Sequence, residues 1–159
     1  MSGPLIEAVE LTRRFVAGGG SFGRYRAHVA LDRVSFAIGR GEAIGIVGES
    51  GCGKSTLARL LVALDRPDAG SVLLEGRDLH RLPPGALARL RRRFGVVFQD
   101  PAGSFDPRRS VGWSVGDPLL AQGLVASRAE AGERVAAALA EVGIDPDAAS
   151  RRPAEFSGG

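Results

Sequence analysis

The chain has 159 residues, 44% hydrophobic and 25% charged, a balance that suits one packed domain or part of one. The formal net charge is +3, and the one basic cluster, Arg89 with Arg91-Arg92-Arg93, has no interleaved aromatics, which favours a solvated helix face over a nucleic-acid surface. No apolar run approaches the roughly 20 residues that span a bilayer, no signal peptide is evident, and the single cysteine, Cys52, excludes a disulfide framework and fits a reducing, cytoplasmic compartment.

Residues 5–11 read as a first strand, followed by a glycine-rich, basic loop or insertion over 18–26. Val29, Leu31, Val34, Phe36 and Ile38 fall mostly on one face of an extended segment interrupted near Asp32-Arg33. After the turn at 39–42, the apolar run Ala43-Ile44-Gly45-Ile46-Val47 reads as a buried strand. Leu57, Leu60, Leu61 and Leu64 then recur at helical spacing, and Pro67 stops that helix near Asp65. Residues 71–76 form a short strand and turn, Pro83-Pro84 opens a helix to about Arg92, and 94–98 is a second buried strand ending at Gln99. Prolines, glycines and short helical patterns follow. The clearest late helix covers about 127–142, with Val135, Leu139 and Val142 on one stripe and a capping box from Ser127 and Glu130. Strands first and helices later suggest an α/β core with a helical subdomain after Gln99.

Between the strand at 43–47 and the helix lies Gly48-Glu49-Ser50-Gly51-Cys52-Gly53-Lys54-Ser55-Thr56, which fits the phosphate-cradling pattern G-x-x-x-x-G-K-[ST]. Glycines let successive backbone N–H groups turn inward into an anion nest that Cβ atoms would crowd. Lys54, the only lysine in the chain, supplies a compact cation for the β- and γ-phosphates, and the Ser55 hydroxyl is placed to hold Mg²⁺. Cys52 reads as a small loop filler and Glu49 as an outward-pointing variable position, so neither is assigned chemistry.

Further motifs add a resemblance. Phe98-Gln99-Asp100-Pro101 resembles the Q-loop of ABC-transporter ATP-binding subunits, and Glu155-Phe156-Ser157-Gly158-Gly159 resembles the start of their LSGGQ signature, with Phe in place of Leu. The insertion near 18–26, the phosphate loop and the run from Phe98 to Arg108 look like the oligopeptide and dipeptide importer ATPases, a group that also serves nickel or glutathione uptake. Trp113 stands where these relatives usually carry glutamate.

The resemblance implies an α/β P-loop NTPase core with an N-terminal antiparallel β subdomain and a partial helical subdomain. Residues 1–99 would be the nucleotide-binding core and 100–159 the helical subdomain ending in the signature. It also implies an ATPase that binds ATP and Mg²⁺ and pairs head to tail with a second ATPase subunit, identical or different. That pair would energise uptake of peptides or a related small solute through transmembrane permease subunits, with only indirect membrane contact. In the phosphate loop, Gly48, Glu49, Ser50, Gly51, Cys52, Gly53, Lys54, Ser55 and Thr56 would bind nucleotide, with Lys54 catalytic and Ser55 on the metal. Gln99 would touch Mg²⁺ and the attacking water, while Ser157, Gly158 and Gly159 would face the γ-phosphate of the neighbouring subunit. Phe15 matches the aromatic position on which adenine stacks, with Tyr25 as second candidate and Val29 packing on the same ring.

The Walker B strand, D-loop and switch histidine of the family would lie beyond Gly159, and His28 and His80 precede the Q-loop and cannot replace that histidine. The missing strands would leave the sheet with an unpaired edge. By itself the chain is therefore expected to bind Mg-ATP weakly and turn over negligibly. Other classes fit less well. DNA-repair and chromosome-organising ATPases place long coiled coils between these motifs, and P-loop kinases lack Gln99-Asp100-Pro101 and the terminal Ser-Gly-Gly. The remaining alternative is a naturally truncated, non-catalytic nucleotide-binding or interaction module.

Overall fold

The computed structural model describes residues 3–17, 26–99 and 102–156. The chain divides into two compact units, Met1–Phe94 and Gly95–Gly159.

The first unit is built on a four-stranded antiparallel sheet. Its strands are β1 (Ile6–Ala17), β2 (Arg26–Ile38), β3 (Ala69–Leu74) and β4 (Arg77–Asp78), in the order β2-β1-β3-β4. Helices α1 (Lys54–Leu61) and α2 (Pro84–Arg91) complete it. The core joins Ala8, Leu11, Leu31, Val72 and Leu74 of the sheet to Leu57, Leu60 and Leu61 of α1, with Leu79 sealing one side. Each fully buried leucine removes enough apolar surface from water to contribute about 1.5–3 kcal/mol, and Leu11, Leu60 and Leu79 are completely enclosed.

The interruption at Asp32-Arg33 is real. Arg33 adopts φ 48 and Glu10 φ 47, and the β1–β2 ladder shifts register between Ala8 and Leu11. Side chains repair the broken ladder: Ser35 Oγ accepts from the Glu10 amide at 2.8 Å and Thr12 Oγ1 from the Arg33 amide at 3.2 Å. Thr12 is buried because it fills that gap.

Helix α1 ends earlier than Pro67 would dictate. Ala63 enters the left-handed region at φ 54, and the Leu64 amide donates back to Arg59 O at 2.8 Å. Carbonyls at this end draw side chains from elsewhere: Arg91 donates to Ala63 O, and His80 Nε2 lies 3.2 Å from Leu60 O. Burial holds the His80 pKa below its ordinary value.

The arginine cluster is therefore not simply a solvated face. Arg91 caps α1, and Arg93 forms a two-point ion pair with Glu75 at 2.6 and 2.9 Å, joined by Arg40. All four arginines are exposed, as expected, and Arg91 and Arg93 engage these partners as well.

The two expected buried strands differ from expectation. Residues 43–47 and 94–98 carry no regular secondary structure, and neither enters a ladder among the described residues. Val47 and Val97 are each 92% exposed. An apolar run becomes a buried strand only when flanking strands pair with it, and the four strands above form a separate antiparallel sheet.

The second unit contains α3 (Val111–Ala121) and α4 (Arg128–Glu141), with 3₁₀ turns at Ala102–Ser104, Pro146–Ser150 and Pro153–Glu155. Val111, Val135 and Leu139 form its core, flanked by Val115, Ile144, Ala149 and Phe156. Ser110 Oγ and Ser127 Oγ cap the two helices, accepting from the amides of Trp113 and Glu130 at 3.1 Å each. The Glu130 carboxylate closes the reciprocal contact one residue early, on the Ala126 amide at 2.8 Å. Trp113 is half-buried with the Arg109 guanidinium 4.7 Å from its ring centre.

Candidate functional site

The loop from Gly48 to Gly53 leads into the N-terminus of α1, so the first-turn amides of Lys54, Ser55 and Thr56 lack intrahelical acceptors and point out of the helix end. Gly51 and Gly53 turn the backbone through left-handed conformations, φ 84 and φ 98. Lys54 folds back over the loop. Its Nζ donates to Gly48 O and Glu49 O, both at 2.8 Å, and lies 3.6 Å from Cys52 Sγ. The ammonium is thus held on the loop's own carbonyls, next to the helix N-terminus, whose dipole favours an anion. Glu49, Ser50, Cys52 and Ser55 are exposed.

Strand β2 braces this loop. A methyl group at Gly53 would lie 2.3 Å from Ala30 O and 3.1 Å from Leu31 Cδ2. Ala30 is the residue the β1–β2 ladder skips, because Arg13 pairs with Leu31 while Arg14 pairs with Val29. That bulge frees Ala30 to turn its carbonyl toward the phosphate loop.

The same bulge corrects one expectation. Phe15 pairs with His28, and Val29 pairs with Arg14. Directly opposed residues share a face and successive ones alternate, so Phe15 and Val29 point to opposite faces and Val29 does not pack on the Phe15 ring. Phe15 is 40% and Val29 47% exposed. The Arg13 guanidinium covers one face of the Phe15 ring at 4.9 Å.

Sequence reasoning passed over Arg13. Its guanidinium bridges Asp65 at 3.0 Å and Asp68 at 3.1 Å, just past the end of α1, and Asp68 also accepts from the Arg14 amide at 2.6 Å. No local pattern announces pairs more than fifty residues apart; the only hint was an Asp-x-x-Asp spacing after the helix. Gln99 lies in the second unit, exposed, just after the 94–98 segment. Phe156, the first residue of the signature match, packs against the core of that unit. Ser157, Gly158, Gly159 and Tyr25 lie outside the described residues, as do Asp100 and Pro101.

No group of three or more His, Cys, Asp or Glu side chains suited to a metal occurs among the described residues. None of the helices described is long and apolar enough to cross a membrane.

The family described as ABC transporter matches residues 31–159. The chain is 43% identical over 157 residues to the glutathione import ATP-binding protein GsiA of Pectobacterium atrosepticum, covering 98% of this chain and 25% of that protein. It is 39% identical over 156 residues to the dipeptide transport ATP-binding protein DppF of Escherichia coli, covering 98% and 46%. The chain therefore spans less than half the length of these curated relatives. Among solved structures, it is similar to the ATP-binding cassette MJ0796, in a dimeric post-hydrolysis state bound to ADP and Pi. That likeness has a TM-score of 0.80 and 27% identity, over 96% of this chain and 63% of that one. It is also similar to cbiO1 from Clostridium perfringens, part of the ABC transporter complex cbiONQ, with a TM-score of 0.67 and 27% identity over 97% and 56%. With most of its length matched, and with a fold that is the α/β fold of ABC ATPase cassettes, the chain belongs to the ABC transporter family.

Proposed function

We propose that this chain is the nucleotide-binding part of an importer's ATPase subunit, coupling ATP binding and hydrolysis to uptake of peptides or a related small solute. The observation that carries the reading is the Lys54 ammonium held by Gly48 O and Glu49 O at the N-terminus of α1. A triphosphate entering the nest gives that cation a better partner than two neutral carbonyls. Likeness to a glutathione import and a dipeptide transport ATP-binding protein supports the solute class.

In this reading, residues 1–99 form the nucleotide-binding core and 100–159 the helical subdomain. Gly48 through Thr56 hold the phosphates and the open face of Phe15 receives the base. Ser55 and Gln99 serve Mg²⁺, an ion that binds through one or two protein groups plus phosphate oxygens and needs no all-protein cage. When bound, Mg²⁺ supplies charge neutralisation across the phosphates. Ser157, Gly158 and Gly159 act on the nucleotide of a second ATPase subunit placed head to tail; the dimeric state of the MJ0796 cassette supports pairing as such, by analogy. The subunit sits at the inner face of the membrane through permease partners.

Uptake of a labelled dipeptide and of labelled glutathione, in cells deleted for the gene, tests this. Restoration of either by the wild-type gene and not by Lys54→Ala is expected. Unchanged uptake of both solutes on deletion would overturn the importer reading for these classes.

A further inference from the structure

We infer that Arg13 is a positioning residue for nucleotide: it fixes the Phe15 ring and ties it to the phosphate loop, so that base and phosphates are met at a set spacing. The inference rests on the reading of Phe15 as the base platform. Arg13 and Phe15 stand two apart on β1 and share a face, and Leu31, paired with Arg13, shares it too. Leu31 Cδ2 and Ala30 O are the atoms that bound Gly53. The face carrying Arg13 and Phe15 is thus the face turned to the phosphate loop.

Arg13 also reaches the other end of α1. Its two terminal nitrogens are held by Asp65 and Asp68 at 3.0 and 3.1 Å, which orients the guanidinium plane before any ligand arrives. The side chain is 22% exposed and its Nε is buried without a hydrogen-bond partner, so the group is fixed by geometry and not by a full set of bonds. Against Phe15 it occupies one face at 4.9 Å, and the Phe15 residue remains 40% exposed. A planar base stacking on the remaining face would complete a three-layer stack of guanidinium, phenyl and base. One residue therefore links the helix that presents the phosphate loop to the ring that receives the base.

The test compares Mg-ATP with inorganic triphosphate, which has phosphates and no base, by calorimetric titration of the purified protein. Phe15→Ala is expected to weaken ATP about five- to hundredfold and leave triphosphate unchanged. Arg13→Gln is expected to weaken ATP about three- to tenfold, again with triphosphate unchanged, and to add nothing in the Phe15→Ala background. Arg13→Lys keeps the charge near both aspartates but loses the plane, and should show the same selective loss; it serves if Arg13→Gln does not fold. Equal losses for both ligands, no loss, or full additivity with Phe15→Ala would overturn the inference and leave Arg13 as a brace for α1. If Phe15→Ala itself spares ATP, the base-platform reading fails first and is recognised by that result alone.

Discussion

Two glycines of the phosphate loop share a left-handed backbone but differ in their surroundings, which gives a paired prediction. At Gly51, with φ 84, a methyl group would meet nothing within 4 Å. Gly51→Ala should cost only the left-handed conformation, about 1–2 kcal/mol. At Gly53, with φ 98, the methyl would lie 2.3 Å from Ala30 O, a backbone atom that cannot swing aside. Strand β2 or the loop must shift, adding overpacking of about 1–3 kcal/mol to the same conformational term, for a total of roughly 2–5 kcal/mol. Against a typical domain stability of about 5–15 kcal/mol this is a large fraction. Urea unfolding of the purified variants measures it, and a lower midpoint with unchanged slope would show the loss is one of stability. Gly53→Ala should also weaken ATP binding more than Gly51→Ala, because the shift moves the amide of Lys54. Equal destabilisation by the two substitutions would refute the claim that β2 braces the loop.

Other expectations follow from the same contacts. Hydrogen bonds from Arg93 and then Arg40 hold the Glu75 carboxyl at about 2, below its ordinary 4.5. Its contribution is therefore present above pH 4.5 and is lost as pH falls toward 2. Being exposed, the pair is weakened by salt; Glu75→Gln should flatten the acid limb of a stability–pH curve, and an unchanged limb would contradict the assignment. Leu60 is fully enclosed, so Leu60→Ala should cost about 2–5 kcal/mol by urea unfolding. Ser127→Ala removes the cap of α4 and should cost about 0.5–2 kcal/mol, read as earlier loss of helical circular dichroism. Several carboxylates are committed elsewhere, Asp65 and Asp68 to Arg13, Glu42 to the Gly39 amide and Glu75 to two arginines, and Glu49, exposed on the loop, is read as pointing outward. The polypeptide of residues 1–159 should accordingly release phosphate from ATP at a rate indistinguishable from a Lys54→Ala control.

What could be read from the chain was what backbone geometry imposes locally. The turn at Gly51 and Gly53 into the helix that starts at Lys54 was legible because glycines, a lysine and a hydroxyl at fixed spacing answer a single backbone requirement. The cap at Ser127 and the break at Asp32-Arg33 were legible for the same reason. The Phe15–Val29 pairing was not. A regular ladder continued from Arg13↔Leu31 would have set Phe15 opposite Val29, and the one-residue bulge at Ala30 moved Val29 to the other face. The exposure of Ile44, Ile46 and Val47 was equally out of reach. An apolar run states a preference for burial, and only neighbouring strands can satisfy it. Arg91 and Arg93 are exposed as expected, but their partners, Ala63 O and Glu75, were hidden because they are distant in sequence.

The central claim is that Lys54 and the loop around it bind the triphosphate of ATP. Calorimetric titration of the purified protein with Mg-ATP, beside Lys54→Ala, tests it most directly. Replacing a charged donor to phosphate should weaken binding at least about tenfold. The same affinity in both proteins, or no nucleotide binding by the wild type at millimolar ATP, would contradict the account.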